Sequence, residues 1–160
     1  MIPAPGGVPA GTVDTRRAED EEVVVPSVEE IRADRPLEVG VARVLLIVAV
    51  VLWVPVLGYL YTSGSTGAAA LAMFFVVFGA FGAAKGRQAG RLMVTFGLPF
   101  CYLFLLPYCV LGFSDTYLNG PAYAVLDIAA VLASAVALTL LYHPNSNQYV
   151  RSVTVARQAG

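Results

Sequence analysis

Residues 44–61 read VLLIVAVVLWVPVLGYLY, and no charged side chain interrupts them. A helix needs roughly 17–25 apolar residues to cross a hydrocarbon core of about 30 Å, so this stretch is long enough to span a membrane. Three more stretches share the property: residues 66–84, 92–113 and 121–142. The second and third carry no charge, and the fourth carries only Asp127. The connections TSGST (62–66), KGRQAG (85–90) and SDTYLNG (114–120) are short. Connections of that length join antiparallel neighbours. The expected fold is therefore an all-α membrane protein, an up-down four-helix transmembrane bundle.

Composition agrees. Apolar residues make up 58% of the chain and charged residues 13%, against about 25% charged in a soluble domain. The charges are also segregated. Residues 1–38 hold nine Asp/Glu and four Arg, whereas residues 39–160 hold two Asp/Glu and six Lys/Arg. The chain divides into an acidic, Pro-rich tail over 1–38, a transmembrane domain over 39–143 and a short basic segment over 144–160. No basic region followed by an apolar run opens the chain, so a cleaved signal peptide is not expected.

The basic residues set the expected orientation. Arg32, Arg35 and Arg43 precede the first span, Lys85, Arg87 and Arg91 surround the second connection, and Arg151 and Arg157 follow the fourth span. The other two connections have no Lys or Arg. Positive charge accumulates on the cytoplasmic side, which predicts a multi-pass protein of the plasma (inner) membrane with both termini in the cytoplasm. Tyr59, Tyr61, Tyr108, Tyr117 and Tyr123 then fall at the outer interface, and Tyr142 and Tyr149 at the inner one. Arg43, Lys85, Arg87, Arg91 and Arg151 are candidate contacts for anionic lipid headgroups.

The tail is too rich in Pro, Gly and acid to offset its ordering entropy, so it is expected to be disordered. Within it, Ser27 and Glu30 have the spacing of a helix capping box, and Pro36 closes the segment. About two turns of helix are expected there, too few to be stable without something to pack on.

Few residues suggest chemistry. GAFGAAKG at 79–86 has glycines like a phosphate-binding loop but no Ser/Thr after the Lys, and Gly79 with Ala83 reads as small-residue helix packing. PFCYLFLLPYCV at 99–110 places Pro99 and Pro107 in the third span, and Pro55 lies in the first. Each removes a backbone donor and is expected to kink its helix. Met93, Cys101 and Cys109 recur every eight residues. That spacing turns about 80° per step beyond whole turns, so the three do not form one metal-binding face. The single His143 lies on the inner side, away from the intramembrane acid, and no nucleophile–base pair can be assembled. No metal, cofactor, nucleic-acid partner or enzymatic activity is expected.

Asp127 is the exception. It lies six residues after Pro121, about 9 Å along a helix, in the outer half of the membrane. Tyr123 precedes it by one turn, and Tyr59 and Tyr108 end at a similar depth, where they can donate to it. Three readings stand: a hydrogen-bonded packing residue, a proton or ion site, or a group that reaches outer water.

Three stretches together resemble a group of small four-span membrane proteins common in high-GC Gram-positive bacteria. Arg35, Pro36 and Val39 lead into span one. Gly86, Arg87, Gly90, Arg91 and Thr95 open span three. Pro144, Ser146, Asn147 and Tyr149 follow span four. The resemblance implies the four-span topology and carries no established activity. Two function classes follow. One is a non-enzymatic accessory or scaffold component of a membrane complex, with the tail as a cytoplasmic contact for a membrane-protein partner. The alternative is a small transporter or channel subunit with Asp127 as its proton or ion site.

Overall fold

The computed structural model describes residues 27–59, 66–114 and 120–159. The disorder expected over residues 1–26, and the interfacial Tyr61 and Tyr117, lie outside the described residues. Among the described residues seven helices follow in order: α1 (Val28–Ala33), α2 (Leu37–Tyr59), α3 (Thr66–Ala84), α4 (Gln88–Leu105), α5 (Tyr108–Ser114), α6 (Gly120–Leu141) and α7 (Pro144–Ala159). Four segments are long and apolar enough to cross a membrane: Leu37–Gly58, Thr66–Ala84, Gln88–Ser114 and Gly120–Leu141. The chain is an all-α, multi-pass integral membrane protein. Phe74, Phe78, Phe96, Leu103 and Val110 all point outward, an apolar surface too extensive for water and suited to hydrocarbon.

Inward-facing residues repeat every three or four positions, the spacing that keeps one face of a helix turned to its neighbours. On α2 they are Ala42, Leu46, Ala49, Trp53 and Val56; on α4, Val94, Leu98, Cys101 and Leu105. On α6 the buried stripe runs Gly120, Ala124, Asp127, Ala130, Ser134, Ala137 and Leu141. Two polar side chains therefore sit in the packed face of an otherwise small and apolar helix. α2 packs between α3 and α6, α3 pairs along its length with α4, and α5 rests on α6.

The α3–α4 pair is close because glycines line it. A Cβ at Gly90 would collide with the backbone of Gly79, Gly82 and Ala83, and one at Gly79 would meet the Gly90 carbonyl at 2.8 Å. Gly79 and Ala83 thus do what small residues do between membrane helices, letting the backbones approach.

The third span is broken where Pro107 was expected to disturb it. Pro107 has no N–H to continue the ladder, and the chain passes through a turn at Leu106–Pro107 before α5 starts. Pro55 and Pro99 remain inside the continuous helices α2 and α4. The redirected α5 settles closely on α6, where a Cβ on Gly112 would lie 2.9 Å from that of Ala124.

The end of the bundle where α2 begins is capped by α1 and α7. Ser27 and Glu30 form the expected capping box, with Glu30 N–H donating to Ser27 Oγ at 3.2 Å and Ser27 N–H to Glu30 Oε2 at 2.8 Å. Val28 and Ile31 pack on a buried cluster of Val39, Ala84, Tyr149, Val150 and Val153. That contact supplies the support so short a helix lacks alone. The tail boundary expected at residue 38 is therefore too late: residues 28–33 are helical, and Leu37 and Glu38 already belong to α2. The segment over 144–160 is likewise more than a short basic end. Pro144 stops α6 and occupies the first position of α7, where its missing N–H costs nothing.

Candidate functional site

Two polar clusters stand out, one at each end of the bundle. The first surrounds Asp127, which has no solvent exposure. Trp53 of α2 donates its indole N–H to Asp127 Oδ1 at 2.8 Å, and Cys109 of α5 donates its thiol to Oδ2 at 3.3 Å. Trp53 stands edge-on to Tyr102 of α4, with ring centroids 6.1 Å apart. The Tyr102 hydroxyl shares a 2.8 Å hydrogen bond with Ser134 Oγ, which also donates to the Val131 carbonyl at 2.9 Å. All four membrane-crossing segments except α3 contribute to this cluster.

The sequence placed tyrosines around Asp127, and the structure adds two donors it did not anticipate, an indole on Oδ1 and a thiol on Oδ2. Tyr108 is one residue before Cys109, about 100° away around the helix, and the break at Pro107 sets α5 so that Cys109 faces α6. Tyr108 is half-buried against the core, as is Tyr123. Tyr59 closes α2, but its side chain lies outside the described residues. The sequence reading missed Trp53, although a signal existed. Trp53 lies six residues before Tyr59, and Asp127 six after Pro121, so the two share a depth. A buried Trp can only donate, and Asp127 is the only acid within residues 44–61, 66–84, 92–113 and 121–142.

The second cluster forms where α4 begins. Arg91 is only 5% exposed. Its Nη1 donates to Asn147 Oδ1 of α7 at 2.7 Å, and its guanidinium lies 5.6 Å from the ring centre of Tyr142. Thr95 Oγ1 donates to the Arg91 carbonyl at 2.9 Å and shares a 2.7 Å hydrogen bond with the Tyr142 hydroxyl. Arg91 Nε and Nη2 are buried with no acceptor. The other candidate headgroup contacts differ: Lys85, Arg87 and Arg151 are exposed, and Arg43 lies 4.4 Å over the Phe81 ring.

The segment after α6 ties this end together. Ser146 Oγ donates to the Leu140 carbonyl at 2.8 Å, which also accepts the His143 N–H, and Asn147 Nδ2 donates to the Tyr142 carbonyl at 3.1 Å. Asn145 Nδ2 donates to Glu38 Oε1 at 2.7 Å, with His143 Nδ1 3.8 Å from the same oxygen. The Tyr149 hydroxyl donates to the Ala84 carbonyl at 3.3 Å. Gly86 turns the chain with φ of +69°, and a Cβ there would strike Val153 at 2.9 Å. Residues 35–39, 86–95 and 144–149 thus meet at one end of the fold.

No protein-family model, curated protein or solved structure matches this chain.

Proposed function

We propose that this integral membrane protein is a non-catalytic accessory or scaffold component of a membrane complex. It sits in the plasma membrane with both termini in the cytoplasm, and its acidic N-terminal tail contacts a membrane-protein partner. The observation that carries this reading is the platform built by α1 and α7. α1 docks on the same apolar cluster as α7 and anchors the start of the tail against the bundle. A groove of about 550 Å³ beside it is lined by Glu30, Asp34 and Glu38 together with Tyr149 and Ser152. A binding partner for the tail would meet this mixed acidic and polar surface next.

The Asp127 cluster supports the same reading. Both carboxylate oxygens are engaged by donors from two other helices, which suits a lock between helices better than a carrier that must release and regain a proton. Cross-linking and affinity capture from membranes, with the full chain and with residues 1–26 deleted, test the proposal. A partner captured by the full chain and lost on deletion supports it; an identical set of partners removes the tail from it. Proton-coupled transport in vesicles that disappears in Asp127→Asn would establish the transporter alternative instead.

A further inference from the structure

Burying a guanidinium without acceptors is expensive, and proteins avoid it unless something else supplies them. Arg91 leaves Nε and Nη2 unserved, and these two nitrogens are adjacent. They form the side-on edge of the guanidinium, the edge that takes two oxygens of a phosphate or carboxylate in parallel. The other edge is already used, because Nη1 is held by Asn147 and one face by Tyr142. The side chain is thus fixed in place with its anion-binding edge left over.

Arg91 lines a cavity of about 490 Å³ between α4 and α7, together with Gln88, Gln148, Arg151 and Thr154. Tyr142 and Asn147 line it too, so the lining contains two cations, five uncharged polar side chains and no carboxylate. Both unserved nitrogens are out of contact with solvent, so a ligand enters by displacing the exposed Gln88, Gln148 or Arg151 side chains. Arg91 lies three residues into α4, about 4.5 Å from its start, which is headgroup depth for a membrane-crossing helix.

A second cavity adjoins the first. A groove of about 570 Å³ runs between α3 and α4, lined by Leu71, Phe75, Leu92, Met93, Phe96 and Phe100. Leu92 lines both spaces. The Leu92 side chain therefore stands between the polar cavity and an apolar trough along α3 and α4.

We propose that this composite site binds one anionic glycerophospholipid. Arg91 and Arg151 hold its phosphate, and one acyl chain passes over Leu92 into the α3/α4 groove. The site goes beyond the scaffold reading and does not depend on it. Native mass spectrometry of the full-length protein in detergent tests it, using dioleoyl phosphatidylglycerol, dioleoyl phosphatidylcholine, soluble glycerophosphoglycerol and inorganic phosphate as probes. The expected result is one phosphatidylglycerol bound about tenfold more tightly than phosphatidylcholine, with the two soluble anions failing to compete at millimolar concentration. Arg91→Gln weakens that binding at least tenfold, and Arg151→Gln, an exposed change that leaves the fold alone, weakens it two- to fivefold. Arg87→Gln, outside the cavity, leaves it unchanged. Equal binding of the two lipids, or undiminished binding in both Arg91→Gln and Arg151→Gln, overturns the proposal. Competition by inorganic phosphate at millimolar concentration overturns the lipid as the source of the anion.

Discussion

Asp127 and Arg91 are both ionisable side chains withdrawn from solvent inside membrane-crossing helices, yet the fold serves them in opposite ways. Asp127 has a donor on each oxygen, both from side chains on other helices. Arg91 has one nitrogen satisfied and two without an acceptor. A buried polar group that is fully paired rigidifies its surroundings, whereas a half-paired one is a liability unless a further partner completes it. Burial alone therefore does not mark a binding group inside a membrane protein; the unmatched valence does. By that criterion the Arg91 cluster, with its two unserved nitrogens, is the one that calls for a ligand.

The contrast can be broken most forcefully at Trp53. Trp53→Ala removes a fully buried indole and the donor to Asp127 together, and is expected to cost about 3–5 kcal/mol, read as a lower thermal midpoint in detergent. At the Arg91 end the comparable insult is to the backbone contact beside it. Gly90→Ala forces a methyl group into the α3 backbone and is expected to cost about 2–3 kcal/mol, with anionic-lipid binding lost as α4 moves away from α3. A milder change isolates the hydrogen bond. Trp53→Phe leaves Asp127 Oδ1 without its donor, at about 1–3 kcal/mol. Adding Asp127→Leu recovers much of that loss, because both partners are then apolar. If the double variant is no better than the single one, Asp127 is not the lock described above.

Arg91→Gln is expected to show the smallest effect, within about 0.5 kcal/mol of the parent in lipid-free detergent. Removing two unserved buried donors there offsets the lost bond to Asn147. The difference opens only when phosphatidylglycerol is added and stabilises the parent selectively. Equal destabilisation from Trp53→Phe and Arg91→Gln without lipid would erase the distinction between the two clusters.

The spans were legible in the sequence because their signal is long: residues 66–84 match α3 end to end, and 121–142 differs from α6 by one residue at each end. The capping box at Ser27 and the fault at Pro107 were legible because each depends on a local backbone donor. Partner choice was not. Whether Cys109 or Tyr108 meets Asp127 depends on the rotation of α5 after a broken helix, and one residue is about 100°. Arg87 and Arg91 looked equivalent, four apart on one helix face, yet Arg87 stays exposed while Arg91 is buried under α7. Nothing near Arg91 in sequence shows this, because the covering helix lies some fifty residues on. The helix α7 itself had a readable pattern in Tyr149, Val150, Val153 and Ala156, the residues it buries, but a polar composition concealed it.

The short bonds made around the start of α7 reach into every membrane-crossing segment. Asn145 holds Glu38 of the first, Tyr149 holds Ala84 of the second, Asn147 holds Arg91 of the third, and Ser146 holds Leu140 of the fourth. Synthesis proceeds from the N-terminus, so α7 leaves the ribosome after all four. Its seat is complete only when each span has inserted in the right direction, and a single inverted span would carry one of these partners to the opposite side of the bilayer. The start of α7 thus ties one end of all four segments together. Chains truncated before α7 lose these four bonds together, whereas the Trp53–Asp127 and Tyr102–Ser134 bonds between the spans do not depend on it.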